Sequence, residues 1–322
     1  FNSHGTVALK HHEVTPNDIG RVIDAAKAVA IPMDREVIHV LPQEYIVDDQ
    51  DGVKEPLGMF GVRLEAKVHI ITAAVTSAQN IMRAVNKAGL EVKDIVLEQL
   101  ASSYAVLTPD ERELGAAIID IGGGTADLAI LINDAVKHTS VLSLGGNSIT
   151  NDLAIGLRTP TSEAERIKKL YGCALTSLVN NSESIEVPSV GGRDSRILSR
   201  KVLSEIIEPR VEEIFTLLHN DIIKSGYLEK LASGIVLTGG ATMMEGMVEL
   251  AEQIFQVPVR KGYPIGLSGL TEEISKPIFS TGVGLVLFGY QSGSQGRFLG
   301  GPEESLFNKI FKRMKDWFGG FF

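Results

Sequence analysis

Apolar residues recur along the chain in two periods, and the changes of period mark its elements. Residues 63–75 alternate, with Leu64, Ala66, Val68 and Ile70 on one side, the pattern of a half-buried strand. Residues 6–10 and 37–47 also read as strands. Between 37–47 and 63–75, residues 48–61 read as a loop rich in Gly, Asp and Pro. Thr15-Pro16-Asn17-Asp18 is a helix start, with Thr15 as N-cap and Pro16 at the first helical position. That helix carries Val22, Ile23, Ala26 and Val29 on one face. An amphipathic helix follows at 76–89, ended by Gly89. Residues 92–97 are expected as a strand and 99–107 as a helix.

From Gly115 the texture tightens into apolar strands at 116–121, 127–132 and 136–144. Residues 151–234 are largely helical, broken by the polar stretch 180–196. A buried strand at 235–238, a helix at 245–255, a strand at 257–260 and a small-residue helix at 281–290 complete the body. A Gly/Ser/Pro-rich linker is expected at 291–304 and a final helix at 306–318. Hairpins alternating with helices indicate an α/β architecture.

The net charge of −9 argues against nucleic acid as a partner. Cys173 is the only cysteine, so no intrachain disulfide can form, and a reducing compartment fits. No run approaches the roughly 20 apolar residues that span a bilayer. The chain opens Phe1-Asn2-Ser3, without methionine, so a further N-terminal piece is expected.

The sharpest chemical signal is Ile118-Ile119-Asp120-Ile121-Gly122-Gly123-Gly124-Thr125-Ala126-Asp127-Leu128, a strand, a triple-glycine turn and a second strand. Consecutive glycines let backbone N–H groups converge on an anion that a Cβ would hold off. Asp120, at the strand end, is placed to hold Mg²⁺ through water, and Thr125 and Asp127 to meet phosphate oxygens and metal-bound water. No Lys-Ser/Thr follows the glycines, so this is not a P-loop. The plainer reading is a glycine-rich turn without chemistry, which the joint presence of acids, glycines and hydroxyl disfavours. The second signal, Ile235-Val236-Leu237-Thr238-Gly239-Gly240-Ala241, is a buried strand opening through glycines towards a helix. Alone it could be an ordinary βα turn; its glycines let the backbone approach a nucleoside.

Together and in this order, the two motifs resemble the actin, heat-shock chaperone and sugar kinase superfamily. The resemblance makes the hairpin the second phosphate motif and the later turn, with Thr238, Gly239 and Gly240, the adenosine motif. It makes residues 98–103 and 281–285 the two helices connecting the halves, and puts Glu98 where relatives position the attacking water. An exposed carboxylate on a connecting helix is the plainer reading of Glu98.

Three further features resemble the FtsA cell-division family. His39-Val40-Leu41-Pro42-Gln43-Glu44-Tyr45 with Gly61-Val62-Arg63-Leu64-Glu65-Ala66-Lys67-Val68-His69 looks like its inserted strand–helix–strand–strand subdomain. Glu186-Val187-Pro188-Ser189-Val190-Gly191-Gly192-Arg193, followed by Glu205-Ile206-Ile207-Glu208-Pro209-Arg210, resembles its second-domain signature, which places Glu205 among the nucleotide contacts. The amphipathic C-terminal helix is the third. The resemblance implies an actin-like (ribonuclease H-like) two-domain fold, with the inserted subdomain at 1–75, the rest of the first domain at 76–114 and the second domain at 115–290, carrying a helical subdomain at about 151–234. It implies ATP and Mg²⁺ as cofactors with at most weak ATPase activity. It also implies self-association into filaments, binding of the C-terminal tail of the ring protein FtsZ, other division proteins as partners, and peripheral attachment to the cytoplasmic face of the membrane at the septum. One departure stands out: the family's opening hairpin, with an acid-Ile-Gly-Thr phosphate motif, has no counterpart in this sequence.

The tail has its own chemistry. On a helical wheel Leu306, Phe307, Ile310, Phe311, Met314, Trp317 and Phe318 fill one arc, and Lys309, Lys312, Arg313 and Lys315 lie in the other. The helix would be roughly 20 Å long, too short to span a bilayer but suited to lie in an anionic interface. Four basic residues contribute on the order of 4 kcal/mol at most there, so many tails on one filament would bind far better than one. The alternative is a helix docked on its own protein.

Other residues carry ordinary explanations. The seven histidines form no metal-binding spacing, and His11 and His12 read as surface residues beside a turn. Lys168, Lys169, Arg193, Arg196, Arg200 and Lys201 read as solvated charge, the alternative being that, as the resemblance implies for some such residues, they lie near nucleotide or partner. A chaperone would need a substrate-binding domain after the ATPase, a sugar kinase a sugar pocket and base. The inserted subdomain disfavours other bacterial actins such as MreB.

Overall fold

The computed structural model describes residues 1–191, 193–269 and 271–294. It divides into two compact units: Asn2–Ala30 with Val40–Ile70, and Ile31–His39 with Ile71–Gly289. The linker from 295 and the tail helix expected at 306–318 lie outside the described residues.

The smaller unit is built on β1 (Asn2–Ala8), α1 (Pro16–Lys27), β2 (Arg35–Val47), β3 (Gln50–Val53) and β4 (Arg63–Ala74), its sheet ordered β1-β4-β2-β3. The alternation in β4 does what period two requires: Leu64, Ala66, Val68 and Ile70 are all fully buried. Helix α1 starts at the expected cap, Thr15 and Asp18 closing a reciprocal capping box. It buries Asp18, Val22 and Ala26, while Ile23 is only half-buried and Val29 falls beyond the helix. The loop expected at 48–61 is not irregular throughout. β3 folds back on β2, pairing Val53 with Tyr45, and Asp48 accepts hydrogen bonds from the Val62 and Arg63 amides, each at 2.9 Å. The turn residues that suggested a loop are those of a hairpin.

In the larger unit α2 (Val75–Lys87), α3 (Glu98–Val106) and α4 (Pro109–Leu114) precede β5 (Ala116–Ile121), β6 (Ala126–Ile132) and β7 (Ala135–Leu142). Residues 92–97, expected as a strand, pair with no described strand. Instead the Leu97 amide donates to His39 Nε2 at 3.1 Å. An apolar run supplies strand propensity, but a strand exists only where an edge receives it. Helix α4 is also set by its local sequence: Thr108 and Glu111 form a second capping box around Pro109.

After β7 come α5 (Gly146–Leu157), α6 (Thr161–Tyr171), β8 (Ser184–Val187), β9 (Arg196–Ser199) and α7 (Arg200–Ser225). The polar break at 180–196 therefore holds most of a two-stranded sheet, so the region is not purely helical. Next follow β10 (Ile235–Thr238), α8 (Met247–Phe255), β11 (Val259–Lys261), α9 (Thr271–Ile274) and α10 (Ser280–Ser294). The last runs four residues into the stretch read as linker. The sheet is ordered β11-β10-β5-β6-β7, with β10 parallel to β11 and β5, and β5, β6 and β7 antiparallel.

Alternation across this sheet places the chemistry. Ala117, Ile119 and Ile121 of β5, with Leu128 and Ile130 of β6, pack into one core with α5, α6, α7 and α8. Asp120, of opposite parity, meets α3 and α10 instead.

Candidate functional site

The β5–β6 hairpin closes through the four residues Gly122 to Thr125, the Gly122 amide donating to the Thr125 carbonyl at 3.0 Å. Asp120 and Asp127 stand directly opposite each other across the two strands. Like charges at paired positions repel, and burial adds to this. Burial pushes the Asp120 carboxyl above its ordinary range, and hydrogen bonds from Ser102 and Thr281 draw it partly back. Burial also raises Asp127, with Asp120 adding to the rise and a hydrogen bond from Thr125 opposing it. Asp127 Oδ2 is buried and has no hydrogen-bond partner. A buried carboxylate oxygen without a donor costs free energy unless something outside the chain supplies one.

Glu98 opens α3 and joins these acids. Its carboxyl is pushed up to about 7, by partial burial first and then by Asp120 and Asp127. The residue as a whole is exposed, so solvent screens part of this rise. At neutral pH its carboxyl is therefore divided between the protonated and ionised forms.

The glycines separate into two kinds. At Gly239, φ is +92°, and a Cβ would stand 2.3 Å from Asp120 Oδ1 and 2.5 Å from the Ile121 carbonyl, so the fold itself demands glycine. Gly122, Gly123 and Gly124 have no left-handed φ. A Cβ would come no nearer than 3.7 Å and 3.5 Å to its neighbours at the first two, and would meet nothing within 4 Å at the third. Neither packing nor backbone conformation within the chain requires glycine at these positions.

Behind the turn, the Gly146 and Asn147 amides at the start of α5 donate to the Gly122 and Gly123 carbonyls at 2.9 and 2.7 Å. Lys168, read from sequence as solvated, is largely covered. It donates to the Gly146 carbonyl and Thr150 Oγ1, each at 2.8 Å, and pairs with Glu165 at 2.7 Å. Burial opposes the charge of Glu165, but hydrogen bonds from Lys168, Thr150 and Lys169 outweigh it and draw its pKa down to about 2. Arg200 is likewise held, donating to the Tyr171 carbonyl and Glu183 at 2.8 Å each and to Glu245.

Of the second motif, Thr238 pairs with Asp120 across β10 and β5, but its hydroxyl turns inward to Ser280, at 2.6 Å, and the Gly262 carbonyl. Gly240 begins a short 3₁₀ turn that leads into α8, the helix expected at 245–255. Glu205 lies exposed on α7, and its side chain bonds to none of the other candidates. The structure thus gathers Glu98, Asp120, Asp127, Thr125 and Gly239 around the hairpin, and sets Glu205 on the exposed face of α7. Ser102, Thr281, Gly146 and Lys168 were not foreseen as contributors. Ser102 and Thr281 do lie in the two connecting helices that the resemblance gave, and the Gly145-Gly146 pair opening α5 carried a signal of its own.

This arrangement, a sheet with a glycine-turned acidic hairpin at one end and helices on both faces, defines an actin-like protein. MreB5 of Spiroplasma citri, solved bound to ADP, matches with a TM-score of 0.55 at 18% identity, over 70% of this chain and 69% of that one. The PilM-PilN type IV pilus biogenesis complex matches with a TM-score of 0.58 at 17% identity, over 89% of this chain and 76% of that one.

Sequence relatives narrow the class. The family profile for cell division protein FtsA matches residues 117–284, and that for the SHS2 domain inserted in FtsA matches residues 1–72. Cell division protein FtsA of Pseudomonas aeruginosa is 53% identical over 327 residues, covering 100% of this chain and 78% of that protein. That of Escherichia coli K12 is 46% identical over 302 residues, covering 92% and 72%. The chain belongs to the FtsA family of cell division proteins.

Proposed function

We propose that the protein binds Mg-ATP at the β5–β6 hairpin, assembles into actin-like filaments and tethers the FtsZ ring to the cytoplasmic membrane through its amphipathic tail. The carrying observation is the hairpin glycines, which nothing inside the chain requires. A ligand that needs backbone approach accounts for all three. Buried Asp127 Oδ2, without a donor, fits a metal-bound water, and Asp120 fits a cation held through its hydration shell. The cation would neutralise phosphate charge, while Thr125 and Asp127 would meet phosphate oxygens and metal-bound water and Glu98 would position the attacking water. Two likenesses support the reading: MreB5 has also been solved bound to AMPPNP, and MamK, with a TM-score of 0.51 at 15% identity, as a double helical filament. No described helix is long and apolar enough to cross a membrane, which fits peripheral attachment.

Gly124→Val tests the site directly. Its Cβ meets nothing of the chain, so chemical denaturation should show a change of only about 0.5 kcal/mol. Fluorescent-ATP affinity in Mg²⁺ should fall about tenfold or more. Unchanged affinity in a folded variant would dispose of the hairpin as a phosphate site.

A further inference from the structure

Asp120 is held by segments far apart in the chain. Oδ2 accepts from Ser102 Oγ of α3 at 2.6 Å and from Thr281 Oγ1 of α10 at 3.2 Å, and the two hydroxyls stand 3.0 Å apart. On the Oδ1 side lies the bare Cα of Gly239, where any side chain would collide. Ser102 is fully buried, Asp120 is 2% exposed and Thr281 is half-buried, so water is kept from the Ser102 bond above all. One turn along, the two helices touch backbone to backbone. A Cβ on Gly284 would lie 1.9 Å from the Ala101 carbonyl, so α3 and α10 cross at this point. The crossing therefore delivers two hydroxyls to one oxygen of one carboxylate.

We propose that Ser102 and Thr281 are positioning residues for Asp120, a role that rests on the Mg-ATP reading above. Hydroxyl donors to an ionised carboxylate form strong, directional bonds. With both donors on Oδ2 and Gly239 against the Oδ1 side, the carboxylate is held in one orientation, in which it would meet a hydrated cation bound at the hairpin. The same bonds run the other way. Because the donors sit on two separate helices, the charge on Asp120 ties α3 to α10, and a change in what Asp120 binds is felt in both.

The test uses the whole protein with Ser102→Ala, Thr281→Val, Thr281→Ser and Asp120→Asn. Ser102→Ala and Thr281→Val should each weaken Mg-ATP binding about tenfold, leave metal-free ATP binding in excess chelator unchanged, and cost nothing further in the Asp120→Asn background. Thr281→Ser, which keeps the hydroxyl, should restore affinity. Equal losses with and without Mg²⁺, or a loss that persists beside Asp120→Asn, overturn the proposal. Amide hydrogen exchange in nucleotide-free protein gives a second readout. Ser102→Ala should speed exchange in α10, Thr281→Val in α3, and Asp120→Asn in both, whereas exchange confined to the mutated helix would count against it. Should the wild type bind no Mg-ATP at all, the nucleotide reading falls by itself, and the crosswise exchange still decides whether these hydroxyls join the helices through Asp120.

Discussion

Strand β5 buries all six of its residues, while helix α2, with 13 residues, buries only Ala78. Both announce themselves in sequence, the strand by an apolar run and the helix by Val75, Ala78, Ile81, Met82 and Val85 on one side. In β5 the apolar face meets four helices, and the polar exception, Asp120, is fully accommodated. In α2 Ile81 is 56% exposed despite its place on the apolar face. Amphipathic pattern tells that a face can be buried, but the stabilisation arrives only with contact. The two segments should therefore differ sharply in how they answer substitution.

The largest contrast lies in two glycines of left-handed φ. Gly239→Ala drives a Cβ into Asp120 and Ile121 and should cost about 3 kcal/mol or more, enough to threaten folding. Gly89→Ala, just past α2 at φ +80° in open space, should cost only about 1 kcal/mol, the strain of the backbone alone. Urea denaturation of both variants measures the gap, and equal costs would remove it.

Next come two isoleucines. Ile119→Ala empties a site in the core and should lower stability by about 2–5 kcal/mol, where Ile81→Ala should stay within about 0.5 kcal/mol. A large effect at Ile81 would show that α2 is packed in solution.

The smallest effect is a pH dependence confined to the hairpin region. Glu98 titrates at about 7 in the fold against an ordinary 4.5, so the folded state binds its proton more tightly than the unfolded chain. Its contribution to stability is full below pH 4.5 and is lost as pH rises to about 7. Thermal unfolding of Glu98→Gln across this window should show a flatter profile than wild type. Asp120 and Asp127, both raised, leave a residual slope of the same sign. A profile unaltered by the substitution would mean that Glu98 is fully hydrated.

How much could be read in advance follows the range of the forces. The β5–β6 hairpin, the strand before Gly239 and the cap at Thr15 were legible because each is written in neighbouring residues. Short β3, β8 and β9 were hidden in polar, turn-rich composition that looks the same in a loop and in a hairpin. Residues 92–97 failed for the opposite reason, having strand composition but pairing with no described strand. The resemblance to the FtsA family, drawn from the glycine motifs and the residues around His39 and Glu186, agrees with the family that the relatives show.

By itself the sequence determined the local elements, the acid–glycine–acid order of the hairpin and the family that shares it. Tertiary structure decided that Asp120 meets Ser102 and Thr281, 18 and 161 positions away, and that Lys168 is covered rather than solvated. It also decided which glycines answer to the fold and which answer to nothing within it. Propensity and capping act over a turn or a strand and leave their mark in adjacent residues. Burial, pKa and steric need belong to whatever segments converge at a point, and no stretch of chain records its neighbours.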